Sequence, residues 1–172
     1  STIESGLDVA VQVGELHASR LAVRKLAAVR YVVCAAPQYL KERGLPRTPE
    51  ELMGHACLTY RRPRNGRIRE WRFKSGASVR HITMNGFMTF NSGEALVSAA
   101  KGRLGIIQVA EYYAQPLLES GVLVEILADY KTEGYDISLV YPQQKRVAPK
   151  LRVFVDFLAA LFDPPPWSKR EG

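Results

Sequence analysis

Between Ile82 and Val109 the chain writes an apolar stretch, a helix with both ends marked, and a second apolar stretch, and few folds accept that order. Ile82 to Phe90 is strand-like. Asn91-Ser92-Gly93-Glu94 reads as a capping box with Asn91 at the cap and Glu94 at the third helical position, and Lys101-Gly102 closes the helix. Leu104 to Val109 then reads as a buried strand. Strand, helix and strand over about 30 residues make a βαβ unit, whose strands are parallel and whose crossover is right-handed. The expected class is α/β.

The flanking pattern agrees. Leu7, Val9, Val11 and Val13 alternate with small or polar residues, as in a strand, and Gly14 ends the run. Tyr31 to Ala35 is apolar at consecutive positions, the mark of a strand covered on both faces and so of a parallel sheet. Pro37 to Gly44 reads as a short helix with proline at its start and glycine after its end. Thr48-Pro49-Glu50-Glu51 is a second capping box, with Thr48 as cap and Glu51 reaching back to the cap amide. After strand-like Cys57 to Tyr60, Asn65-Gly66 predicts an arginine-rich hairpin from Arg61 to Phe73. A helix from about Ala110 to Glu119 stops at Gly121, and Val122 to Leu127 and Ile137 to Tyr141 read as strands. Pro149 opens a last helix in which Leu151, Phe154, Val155, Leu158, Leu161 and Phe162 share one stripe that must dock on something apolar. Residues 164–172 read as a tail.

With 24 Lys and Arg against 17 Asp and Glu the net charge is +7, and the 47% hydrophobic content excludes a disordered chain, a collagen and a coiled rod. No stretch reaches membrane-spanning length and no secretory leader opens the chain, so a cytoplasmic protein with no membrane partner is expected. Cys34 and Cys57 each sit in apolar runs and read as buried, reduced thiols rather than a bridge. His17, His55 and His81 are scattered, and the pair His55 and Cys57 falls short of the three or four ligands of a zinc site, so no metal is expected. No nucleophile elbow, zinc-protease motif, phosphate loop or dinucleotide fingerprint is present, and neither an enzyme nor a cofactor is expected.

Two segments could hold an anion. The arginine hairpin sets six arginines beside Trp71 and Phe73; it reads as a solvated ribbon that buries one aromatic face, the alternative being a phosphate or single-strand binder. Asn91-Ser92-Gly93 offers helix-terminal amides where open α/β sheets bind ligands, although Asn91 and Glu94 can consume those donors as caps.

Laid end to end, Gly6-Leu7-Asp8-Val9-Ala10-Val11-Gln12-Val13-Gly14, Cys34-Ala35-Ala36-Pro37-Gln38-Tyr39-Leu40, Asn91-Ser92-Gly93-Glu94-Ala95-Leu96 and Gly102-Arg103-Leu104-Gly105-Ile106 resemble, in order and spacing, the effector-binding domain of LysR-type transcriptional regulators. The closing Ala148 to Leu158 is similar to that family's last helix. The resemblance implies a two-lobed type II periplasmic-binding-protein-like fold with two crossing strands. Lobe one would hold residues 1–35 and 136–163, and lobe two residues 36–135. It implies a ligand-sensing domain that binds a small organic acid between the lobes and associates as a homodimer or higher oligomer. The winged helix-turn-helix, linker helix, first strand and first helix of such regulators have no counterpart in these residues, so DNA is expected to be met only through a helix-turn-helix domain outside them. A stand-alone solute-binding protein and an enzyme on the same fold are the alternatives.

The effector site is then expected to gather Gly14 and Glu15 from one strand end, Tyr60 and Arg61 from another, and Asn91, Ser92 and Gly93 before a helix. Ser92 and Gly93 would hold a carboxylate, Arg61 would supply charge, Tyr60 an apolar wall, and Glu15 would disfavour dianions.

Overall fold

A computed structural model describes residues 8–14, 21–63, 65–143 and 149–168. The chain divides into two compact units, residues 30–133 and residues 1–29 with 134–172.

The unit of residues 30–133 is an α/β layer structure. Its sheet runs β2-β7-β3-β6, with β8 also paired to β2. Here β2 is Leu21–Ala35, β3 Cys57–Tyr60, β6 Met88–Phe90, β7 Ile106–Ala110 and β8 Val124–Ile126. β3 lies parallel to both β6 and β7, with Tyr60 opposite Phe90 and Leu58 opposite Ile107. The expected βαβ unit is thus present as β6, α2 (Gly93–Lys101) and β7, with β3 between the two strands. β2 corrects the reading of 31–35: it is buried on every residue of that run, yet runs antiparallel to β7 and to β8. Consecutive burial reports that both faces are covered, not which way the neighbours run.

Helix boundaries follow local chemistry. α1 (Pro37–Arg43) has proline in its first turn, and Gly44, at φ 89°, ends it with its amide on the Leu40 carbonyl. Thr48 does precede a helix, but a short 3₁₀ one (Pro49–Gly54) without a side-chain cap bond, and Glu51 accepts from the Arg47 amide instead of the cap amide. α2 is capped one residue later than expected, by Ser92. It ends in a Schellman arrangement, Leu104 amide to Ala99 carbonyl and Arg103 amide to Ala100 carbonyl, that places Arg103 rather than a glycine at positive φ. α3 (Glu111–Glu119) follows β7 directly, and Gly121 turns the chain at φ 73°.

The arginine segment differs most from expectation. Arg61 and Ile68 form a single antiparallel bridge around the Asn65-Gly66 turn, and the ladder proper is β4 (Trp71–Ser75) with β5 (Ser78–Ile82), turning at Gly76. Ile82 therefore ends β5 instead of opening the strand that reaches Phe90. Burial chooses this register: Trp71 and Phe73 are each 1% exposed, and their alternation turns both rings into the core with Leu52, Leu58, Leu96 and Met84. Cys34 and Cys57 are buried and unpaired in the same core, and burial pushes each thiol up to about 12.

In the other unit β1 (Ala10–Val13) pairs antiparallel with β9 (Thr132–Pro142), Val11 opposite Leu139, and the order is β1-β9-β2. Lys25 and Asp136 form an exposed ion pair at 2.7 Å. α4 (Pro149–Leu161) has the expected apolar stripe, but Val155 is its one buried residue, while Phe154, Phe157 and Leu161 are exposed. Beyond it the chain turns back, so that the Trp167 ring meets Phe162 edge-on at 5.7 Å.

Candidate functional site

Parallel strands deliver their carboxyl ends to one edge of a sheet, and in the unit of residues 30–133 that edge belongs to β3, β6 and β7. Tyr60 ends β3; the amide of Arg61 donates to the Phe90 carbonyl at 2.7 Å, tying the ends of β3 and β6 together. The segment Asn91, Ser92 and Gly93 follows at once. Five of the expected site residues, Tyr60, Arg61, Asn91, Ser92 and Gly93, are therefore neighbours at one edge. Gly14 belongs to the other unit, where it takes φ 98° and its amide donates to the Asp136 carbonyl at 3.0 Å. Glu15 lies outside the described residues.

The individual roles are more specific than the motif suggested. The Ser92 hydroxyl accepts from the Ala95 amide at 3.3 Å and donates to the Glu94 carboxylate at 2.7 Å. That hydroxyl, followed by a backbone amide, holds the Glu94 carboxyl below its ordinary range. The amino terminus of α2 is thus occupied by its own side chains. Asn91 is exposed and one position too early to cap. Gly93 is there for space: a Cβ would lie 2.5 Å from Cε2 of Tyr113, so its absence lets α2 close on α3. Arg61 is exposed and its Nη1 donates to the Gly66 carbonyl at 2.7 Å, closing the Asn65-Gly66 loop.

The residue that sequence reasoning passed over is Arg69, counted there among solvated arginines. It is 7% exposed, with its guanidinium carbon 4.4 Å from the centroid of the Tyr31 ring and 5.3 Å from that of Tyr60. Its Nη2 donates to the Gln108 carbonyl of β7, and its Nε is buried with no hydrogen-bond partner. It makes no ion pair among the described residues. Glu70, the adjacent acid, turns away to accept from the Thr83 hydroxyl and to face His81. Gln108 fixes the segment with its side chain, accepting from the Arg72 amide at 3.0 Å and donating to the Arg72 carbonyl at 2.8 Å. Tyr112, at the start of α3, completes the cluster: burial foremost, then Tyr113 and Tyr60, push its phenol up to about 12 against the opposing pull of the Arg69 cation. A signal for Arg69 existed, since residues 69, 71 and 73 alternate and the latter two are obligate core aromatics.

A separate recess of about 750 Å³ opens near the start of β3, lined by Tyr39, Arg43, His55, Met84 and Phe87 among others. Its covered polar groups are satisfied: the Tyr39 hydroxyl accepts from the Ala56 amide at 3.0 Å and meets His55 Nδ1 at 3.3 Å. Burial lowers the His55 pKa. No buried side-chain nitrogen or oxygen of this recess lacks a partner, whereas Arg69 at the strand-end edge is a buried cation with no ion pair among the described residues. Among the described residues no group of three or more His, Cys, Asp or Glu could hold a metal ion, and no helix is long and apolar enough to cross a membrane.

Comparison with known proteins gives a consistent result. The family model for the LysR substrate binding domain matches residues 1–163. The regulator CrgA of Neisseria meningitidis serogroup B is 34% identical over 157 residues, covering 91% of this chain and 52% of CrgA. The transcriptional activator TtdR of Escherichia coli K12 is 31% identical over 159 residues, 92% of this chain and 50% of TtdR. The chain thus spans about half the length of these relatives, both named as transcriptional regulators. Among solved structures, the CrgA regulatory domain superposes with a TM-score of 0.75 at 32% identity, covering 92% of this chain and 76% of that domain. Full-length AphB of Vibrio cholerae gives a TM-score of 0.77 at 27% identity, over 91% of this chain and 52% of AphB. The type II periplasmic-binding-protein-like fold expected from the motifs is the fold of this family, and the chain belongs to it: it is a LysR substrate-binding domain.

Proposed function

We propose that this chain is the ligand-sensing part of a cytoplasmic LysR-type regulator, taking a small organic acid into the cleft between its lobes. Residues 1–35 with 136–163 form one lobe in this reading, and residues 36–135 the other. The ligand shifts how subunits of a dimer or larger oligomer sit together, and a helix-turn-helix domain of the whole regulator turns that shift into altered DNA binding. The reading involves no catalytic step, metal or cofactor.

Beyond family membership, the observation that supports it is the convergence of Tyr60, Arg61, Asn91, Ser92 and Gly93 where β3 and β6 end, the place at which parallel α/β sheets accept ligands. Tyr60 provides a half-buried wall, and Asn91 and Gly93 the rim. An incoming carboxylate competes with Glu94 for the Ser92 hydroxyl. Glu94→Gln, which weakens that competitor, then tightens acid binding several-fold.

Thermal melting of the chain against a panel of aliphatic and aromatic acids tests the reading. At least one acid is expected to raise the midpoint, and the same acid to change the operator footprint of the whole regulator at physiological salt. A panel in which no acid moves the midpoint refutes it.

A further inference from the structure

Taking a guanidinium out of water is costly unless opposite charge and full hydrogen bonding compensate it. Arg69 receives one carbonyl, that of Gln108, and the faces of two tyrosine rings, while its Nε has nothing to bond. It nevertheless lies at the edge where Tyr31, Tyr60 and Tyr112 gather. Arg61, the cation expected to serve this edge, is exposed and committed to the Gly66 carbonyl.

We propose that Arg69 is the anion receptor of the sensing site, and that the ligand is a monocarboxylate with a flat apolar body held among Tyr31, Tyr60 and Tyr112. The proposal rests on the sensing function above and names its ligand class. A carboxylate can take the Nε edge of the guanidinium in a two-point bond, the geometry arginine offers and lysine does not. Because Nε is covered in this structure, the partly exposed rings of Tyr60 or Tyr112 give way as the ligand enters, and its apolar body takes their place against the guanidinium. One buried cation balances one negative charge. Glu94, beside Ser92, and Glu111, at the start of α3, already place carboxylates at the same edge, so a second acid group on the ligand meets repulsion.

The test is calorimetric titration and thermal melting of the 172-residue chain with benzoate, neutral benzamide and dianionic phthalate, using the unaltered protein, Arg69→Met, Arg69→Lys and Arg43→Met. Benzoate is expected to bind the unaltered chain and raise its midpoint, with benzamide and phthalate each weaker by about tenfold or more. Arg69→Met is expected to lose benzoate binding by a similar factor while melting, unliganded, no lower than the parent, because it removes a buried charge that has no ion pair among the described residues. Arg69→Lys falls between the two, and Arg43→Met, in the separate recess, binds as the parent does. Equal benzoate affinity in Arg69→Met and parent overturns the assignment, as does benzamide matching benzoate, loss of binding in Arg43→Met, or no benzoate binding at millimolar concentration. The benzamide comparison decides on the unaltered chain even where a variant does not fold. An acid outside this class that raises the midpoint equally in parent and Arg69→Met leaves the sensing function standing and removes Arg69 from it; no response to the wider acid panel removes the sensing function itself.

Discussion

The strands and helix around Trp71 and the helix α4 treat their large apolar side chains in opposite ways. In residues 30–133 the bulky residues of β3, β4, α2 and β7 are largely sealed, Trp71 at 1% exposure being typical, whereas α4 of the other unit shows solvent part of its stripe, Leu161 being 51% exposed. Both segments have correct periodicity. Apolar spacing therefore states that a face is built to be covered, and says nothing of what covers it. Within residues 30–133 the cover is supplied locally, by helices and by the β4–β5 ribbon folding over the sheet. Among the residues of α4, Val155 alone is buried.

This contrast can be broken by mutation. Trp71→Ala should cost about 3–5 kcal/mol, and Leu161→Ala less than about 1 kcal/mol, in urea unfolding of the same chain. Comparable losses at the two positions would show that the α4 stripe is buried after all. Gly105→Ala tests the sealed unit at its tightest backbone approach, since a Cβ there would sit 2.1 Å from the Ala56 carbonyl oxygen; the expected loss is about 3 kcal/mol. Gly93→Ala meets a side-chain ring in place of backbone and should cost about 1–2 kcal/mol.

Smaller effects sharpen the account of the site edge. Ser92→Ala should destabilise by about 1 kcal/mol and Asn91→Ala by much less, the order required if Ser92 is the cap; the reverse order would restore the sequence reading. Arg103→Gly should stabilise by about 0.5–1 kcal/mol, because it relieves a non-glycine residue at φ 65°. The smallest change concerns pH. With its folded pKa held down by Ser92, Glu94 contributes stability that is present above its unfolded pKa and lost as pH falls through the lower, folded value. In Ser92→Ala the Glu94 carboxyl should titrate closer to its ordinary range by NMR, and an unchanged titration would place the cause elsewhere.

Elements whose ends carry their own chemistry were legible in the sequence. α1 has Pro37 and Gly44, and α2 begins and ends within one residue of expectation. The β6-α2-β7 unit and the buried thiols followed from the same reasoning. What failed was decided by tertiary burial. Asn65-Gly66 is a strong turn signal, yet the ladder formed around Gly76, with Trp71 and Phe73 of β4 both buried in the core. The direction of β2 depends on neighbours distant in sequence. The site was half legible: strand ends and a helix start mark the edge, but a charged residue reads as solvated by default, and Arg69 is betrayed only by its alternation with two buried aromatics.

The central claim is that an organic acid is sensed where the parallel strands of residues 30–133 end, around Arg69. Amide chemical-shift mapping of the labelled chain titrated with benzoate tests this most directly. The account predicts the largest perturbations at Tyr31, Tyr60, Arg69, Gln108 and Tyr112; perturbations gathered instead at Tyr39, Arg43, His55 and Phe87 would contradict it.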